Sequence, residues 1–201
     1  MILIIRVLSL ISLSSLYAIK SFNKKTGKPI DVFSLSRFDA KFLNDIAVDG
    51  RGFIYASDTM TNRIFKLRFD QKKEVSVFER PNELIGPNGL FLNPKTKNLM
   101  VVTLGSGEIL EIDHAGKIHV LKRGLLKLDG VDYDNQGNLY VSSFEKGEIY
   151  KIPHMGRGVI ETFMSGLTTP ADISCDRMNN ELLIPSFQGN QVITVPLKRP
   201  S

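Results

Sequence analysis

The sequence predicts an all-β fold, a β-propeller with four recognisable four-stranded blades, and three observations carry that expectation. A segment of about forty residues recurs four times; its best-kept part covers residues 44–49, 88–93, 129–134 and 171–176, with equivalent positions 44, 41 and 42 residues apart. Periods in that range mark a repeat architecture. The runs between turns are short, rich in Val, Ile, Tyr and Phe, and bounded by Gly, Asn, Asp or Pro, as half-buried strands and hairpins are. Helical spacing is sustained nowhere beyond the extreme N-terminus. Four antiparallel strands repeated radially make propeller blades, and because one blade cannot bury both of its faces, the blades must stack.

Taken in order, residues 16–22 and 30–35 read as two strands joined by a turn over 23–29. The first full unit places strands at 46–48, 53–57, 63–67 and 75–78. The second runs through 90–92, 99–103, 108–112 and 118–121, and the third through 131–133, 139–143, 148–152 and 159–163. The fourth offers three, near 173–175, 181–185 and 191–195, and its missing fourth strand leaves two readings open. An N-terminal strand could complete that blade and cover its edge, or the chain could be the C-terminal arc of a larger ring. First and second strands join through Asx-initiated turns beginning at Asp49, Asn93, Asp134 and Asp176, closed by residues that tolerate positive φ. Second and third strands join through hairpin turns such as Gly105-Ser106-Gly107 and Glu145-Lys146-Gly147.

With 42% hydrophobic and 23% charged residues, the chain has the composition of one globular domain with a sizeable core, placed at residues 19–201. Residues 1–18 are apolar with Arg6 near the start and Leu16-Tyr17-Ala18 at the end, the pattern of a secretory signal peptide. Cleaved, this segment implies a periplasmic or secreted protein; retained, a membrane attachment; and if it is a blade strand instead, a cytoplasmic one. The net charge of +5 arises entirely before residue 43, where seven Lys or Arg face two acids, while the remainder carries nineteen of each. Scattered basic residues without interleaved aromatics make no phosphate-tracking groove, so nucleic acid is excluded as a partner. The single cysteine, Cys175, excludes an intramolecular disulfide and a thiolate cluster, and its place in a first strand predicts core packing.

The first strand of each blade lines the central channel, and the residue that opens it is Asn44, Asn88, Asp129 and Ala171 in turn. Three side-chain oxygens at one mouth suit a hard divalent cation, which takes six to eight oxygens. Asp45 and Asp172, one position further on, are the nearby carboxylates. The same residues also serve strand entries by bonding their own backbone, and both readings stay open on the residues alone.

The segments Phe42-Leu43-Asn44-Asp45-Ile46-Ala47-Val48-Asp49, Ile54-Tyr55-Ala56-Ser57-Asp58-Thr59, Asn62-Arg63-Ile64-Phe65-Lys66-Leu67, Pro87-Asn88-Gly89-Leu90, Leu128-Asp129-Gly130-Val131 and Gly137-Asn138-Leu139-Tyr140-Val141-Ser142 resemble the regucalcin and gluconolactonase family, in its bacterial sugar-lactone-lactonase-like branch. Ala171-Asp172-Ile173, Leu183-Ile184-Pro185 and Asn190-Gln191-Val192 extend the likeness, which covers roughly residues 22–197. The resemblance implies a six-bladed propeller with Ca2+ or Zn2+ in its channel and a hydrolase acting on a small lactone or ester. It implies Asn88 and Asp129 as metal ligands, Asn44 as a further residue at the metal or substrate site, and Asp129 also as catalytic base; Asp45 and Asp172, the carboxylates beside them, are the expected substrate contacts. The family's glutamate ligand has no counterpart, since residues 1–42 contain no glutamate, and about two blades are missing. The resemblance therefore implies an N-terminally truncated relative, with weakened activity and an oligomer as one way to complete the ring. The competing expectation is a non-catalytic binding or scaffold propeller.

His114, His119 and His154 hold no matching blade positions and predict turn or surface roles, while Asp58, Glu108 and Glu148 predict solvated hairpin positions. Serines ending second strands, such as Ser57 and Ser142, lack the paired histidine a nucleophile needs.

Overall fold

The fold was obtained as a computed structural model, which describes residues 3–6, 9–15, 17–68, 74–79 and 82–197. Five antiparallel sheets follow one another along the chain. The first contains β1 (Leu3–Arg6), β2 (Ser9–Ser15), β3 (Ala18–Asn23) and β4 (Pro29–Ser34), and a short 3-10 turn, Ser36–Phe38, leads out of it. The second comprises β5 (Leu43–Val48), β6 (Phe53–Asp58), β7 (Arg63–Arg68) and β8 (Val75–Glu79). The third comprises β9 (Pro87–Leu92), β10 (Leu99–Thr103), β11 (Ile109–Ile112) and β12 (Ile118–Lys122). The fourth holds β13 (Leu128–Tyr133), β14 (Leu139–Ser143), β15 (Glu148–Ile152) and β16 (Glu161–Met164), with a single turn, Pro153–Gly156, before its last strand. The fifth has three strands, β17 (Ser174–Asp176), β18 (Glu181–Ser186) and β19 (Gln191–Pro196).

The four expected repeat units are therefore blades of a β-propeller, the last three-stranded. Residues 18–34 do not complete that last blade. They belong to a sheet of their own, in which β3 pairs with both β2 and β4. Of the apolar N-terminal segment, residues 3–6 and 9–15 are strands in this sheet, and residues 1, 2, 7, 8 and 16 lie outside the described residues. Among the described residues no helix is long and apolar enough to cross a membrane.

Each hydrophobic cluster lies between two neighbouring sheets, because every sheet presents an apolar face to each side. Ile19 and Phe33 of the first sheet pack with Ile46, Ile54 and Phe65 of the second. Ala47 and Ile64 pack with Leu90, Val101 and Leu110, Met100 and Ile109 with Val131, Val141 and Ile152, and Tyr140 and Ile149 with Ile173, Cys175 and Leu182. Strands β10 and β14 are buried along their whole length, which explains why β10 reads as an apolar run rather than an alternating one, while β14 ends in the buried Ser142 and Ser143. Cys175 is in the core, as expected.

The turns expected after each first strand are present. The Asp49 carboxylate accepts the N–H groups of Arg51 and Phe53 at 2.8 and 2.9 Å, and the side chains of Asn93, Asp134 and Asp176 close their turns in the same way. The positive-φ position that follows is Gly52, Gly137 or Asn180 in three blades but Lys97 in the third sheet, at φ 62°. Asp58 departs from expectation. It is fully buried, and its carboxylate accepts the N–H groups of Lys41 and Phe42 at 2.8 and 2.9 Å, tying the entry loop to the blade.

Candidate functional site

Three of the channel strands break their pairing at the same place. The register shifts between Leu43 and Ile46 in β5, between Pro87 and Leu90 in β9, and between Leu128 and Val131 in β13. The extra residues of these β-bulges are the Asn44-Asp45, Asn88-Gly89 and Asp129-Gly130 pairs. A bulge leaves groups unpaired and re-aims side chains, which turns a repeated sequence pair into a ring of polar groups at one end of the channel.

The freed backbone groups are shared between blades. Ser57 Oγ accepts the Asp45 N–H at 3.0 Å and donates to the Asn88 carbonyl of the next sheet at 2.7 Å. Ser142 repeats this one sheet removed, accepting from Gly130 N–H and donating to the Ala171 carbonyl, both at 2.7 Å. The glycines permit the close approach. A Cβ on Gly89 would stand 2.3 Å from the Asp129 carbonyl oxygen, and one on Gly130 would stand 2.3 Å from the Ile173 nitrogen.

On this frame the sequence-expected residues fall into three groups. Asn88 and Asp129 lie side by side, the Asn88 side chain close enough to oppose the rise of the Asp129 carboxyl, while Asn88 Oδ1 is buried without a hydrogen-bond partner among the described residues. Asp45 is buried and committed, its two oxygens accepting the N–H groups of Ile46 and of Leu90 in the next sheet, both at 2.6 Å. Asp172 faces the same centre from the last blade, close enough to feel the charges of Asp45, Asp129 and Asp132. Asn44 is turned aside, its Nδ2 donating to Thr59 Oγ1 at 3.2 Å.

Sequence reasoning missed Asp132. Its carboxylate accepts from Tyr133 N–H at 2.7 Å and from Cys175 N–H at 2.8 Å, and it pairs with the Arg177 guanidinium, clipping the fourth sheet to the fifth as Asp45 clips the second to the third. The available signal was a second acid within an otherwise apolar channel strand.

The electrostatics follow from this crowding. Burial pushes the Asp45 carboxyl up to about 7, with the charges of Asp129 and Asp132 adding to it against the two backbone N–H donors. Burial likewise raises Asp129 to about 6, opposed by the Asn88 side chain. Asp172 is raised well above the ordinary range by burial first and then by Asp45, Asp129 and Asp132. Of the four, only Asp132 has a basic partner among the described residues. Carboxylates gathered away from water without a counter-charge either hold protons or attract a cation.

A divalent cation fits part of this set. Asn88 Oδ1 is an unsatisfied oxygen beside the Asp129 carboxylate, and Asp172 adds charge without hydrogen-bond donors of its own among the described residues. Yet no three His, Cys, Asp or Glu side chains among the described residues converge closely enough to chelate an ion by themselves. The donor set is thus one amide oxygen and one carboxylate, with further charge nearby.

No family model and no curated protein matches the chain. Solved structures do. The chain is similar to a streptogramin B lyase at 16% identity and TM-score 0.69, over 96% of this chain and 66% of that one. It is similar to a chain of a nidogen/laminin complex at 18% identity and TM-score 0.75, over 89% and 70%, and to a proposed gluconolactonase at 13% identity and TM-score 0.68, over 94% and 74%. The chain thus spans about two thirds of the length of the lyase it matches. At these identities the likeness establishes the fold, and the structural neighbours are β-propellers.

Proposed function

We propose that this propeller binds a divalent cation at the Asn88–Asp129 end of its channel and hydrolyses a small lactone or ester there. The observation that carries the reading is the buried, unpartnered Asn88 Oδ1 beside a carboxylate that lacks a basic counter-charge. An unpaired buried acceptor costs about 1–3 kcal/mol, a cost that a bound cation would remove. An all-oxygen donor set favours Ca2+ over Zn2+. Such an ion supplies polarisation of the substrate carbonyl and acidification of water. Asp129 is the carboxylate at the site that would accept a proton from attacking water. The acyl C–O bond then opens to a carboxylic acid and an alcohol, with the proton passing to the alkoxide. The structural likeness to a proposed gluconolactonase supports the scaffold for this chemistry.

The competing reading is a non-catalytic binding propeller, and one observation favours it. Loops at the same end of the channel leave Met60, Ile85, Leu126 and Phe187 exposed, an apolar setting suited to a partner lying across the mouth. Calorimetric titration with Ca2+ and Zn2+, followed by turnover of lactones and aryl esters with and without chelator, separates the two. Hydrolysis that needs the cation and disappears in Asp129→Asn supports the enzyme. Cation binding without turnover, or neither, supports the binding module.

A further inference from the structure

At the other end of the same strands, roughly 15 Å from Asn88 at 3.3 Å per residue, the molecule carries a second site with different chemistry. A cleft of 390 Å³ opens between the second and third sheets, floored by Tyr55, Ile64, Phe78, Leu92 and Ile112. It shares Arg51, Leu92, Lys97 and His114 with a neighbouring cavity of 610 Å³, which reaches inward to Phe91 and Arg177 at the channel mouth. These volumes lie in the range of small-molecule sites, whose walls are mainly apolar with a few placed polar groups.

The polar groups of the outer cleft are three cations with Ser76, His114 and the acid Asp113, and Asp49 lines the neighbouring cavity. Arg51, Lys66 and Lys97 edge the outer cleft, although the chain beyond residue 42 is neutral overall. The acids nearby are already committed. Asp113 is held by His119 at 3.0 Å and by the N–H groups of Ala115 and Lys117, and Asp49 by Arg51 and its own turn. Among the described residues neither Lys66 nor Lys97 has a carboxylate partner. Lys66 Nζ stands over the Phe53 and Tyr55 rings at 4.5 and 5.5 Å, and Lys97 Nζ donates to the Pro94 carbonyl at 2.6 Å, leaving two of its three donors.

The backbone adds an independent pointer. Lys97 adopts the left-handed conformation that the equivalent positions in the other blades give to Gly52, Gly137 and Asn180. A lysine there costs stability that glycine or asparagine would not; in return, an ammonium stands at the edge of an apolar cleft.

We propose that this cleft binds a small amphipathic organic anion, a carboxylate on an aliphatic or aromatic body, with the body lying on the Tyr55–Phe78–Leu92 floor and the acid group taken by Lys97 and Lys66. The proposal is independent of cation binding at the far end of the channel. The test is calorimetry on the full-length protein with octanoate, octanol and octylammonium as probes, on wild type, Lys97→Asn and Lys66→Gln, with a thermal melt of each. Octanoate binds wild type and the neutral and cationic probes do not. Lys97→Asn weakens octanoate at least about tenfold, the worth of one charge-assisted hydrogen bond, while its Tm stays level or rises because the turn is relieved. Lys66→Gln weakens octanoate while leaving Tm level. Equal binding of all three probes, unchanged octanoate affinity in both variants, or no octanoate binding to wild type overturns the proposal.

Discussion

Ser142 shows how much of this site is decided by single hydrogen bonds that cross from blade to blade. Its hydroxyl serves the Gly130 N–H on one side and the Ala171 carbonyl on the other, so Ser142→Ala strands two polar groups at a buried interface. The expected cost is about 1–3 kcal/mol in denaturant unfolding, whereas the exposed Ser76→Ala stays within about 0.5 kcal/mol. Asp129→Asn acts in the opposite direction. It removes a buried carboxylate that has no basic partner, so the ion-free protein gains stability, with Tm rising roughly 2–4 °C for each 1 kcal/mol in a chain of this size, and it no longer gains Tm from added Ca2+. The positions of Asn88 and Asp129 were legible because they repeat at blade spacing. The roles of Asp45, Asp58 and Asp132 were not. Each is defined by backbone N–H groups it accepts, up to 45 residues away in the case of Asp45 and Leu90, and such partners exist only after the blades stack.

The element that makes the site is the bulge shared by β5, β9 and β13. Strand positions were readable because hydrophobic runs and Asx turns bracket them, but a bulge depends on the partner strand's register and leaves no period in the sequence. Glycine was the one visible hint. The Asn88-Gly89 and Asp129-Gly130 pairs need it because their backbones touch the next sheet, while Gly50, in an Asx turn with negative φ, has open space where a Cβ would go. Gly89→Ala should therefore cost about 1–3 kcal/mol through overpacking, and Gly50→Ala should stay within about 0.5 kcal/mol. Near-equal melting temperatures for the two variants would remove the close approach of β9 to β13 as the reason for the motif. The N-terminal sheet was half legible. Its strands at residues 18–34 stood out by the turn between them, but their packing partner did not, because Ile19 and Phe33 meet Ile46 and Phe65 only in three dimensions.

Across the whole molecule, stacking gathers carboxylates at one end of the channel, although the chain beyond residue 42 carries equal numbers of each sign. That gathering makes stability depend on pH in a defined direction. The folded values of Asp129 and Asp45, about 6 and about 7, lie above the 3.8 they have when unfolded. Between pH 4 and 7 the folded state therefore binds more protons than the unfolded one, and stability from these groups falls as pH rises. Their stabilising contribution is complete below about pH 4 and is lost as pH passes through 6 to 7. A divalent cation competes with protons for the Asp129 carboxylate and releases protons on binding, so added Ca2+ should raise Tm clearly at pH 8 and little at pH 5. Thermal melts at those two pH values, with 5 mM EDTA or about 5 mM free Ca2+, measure the linkage directly by the increment expected for a ligand binding only the folded state. A Ca2+ increment that is the same at both pH values would show that the ion binds away from these carboxylates, and the cation would then have to be removed from the account of the channel.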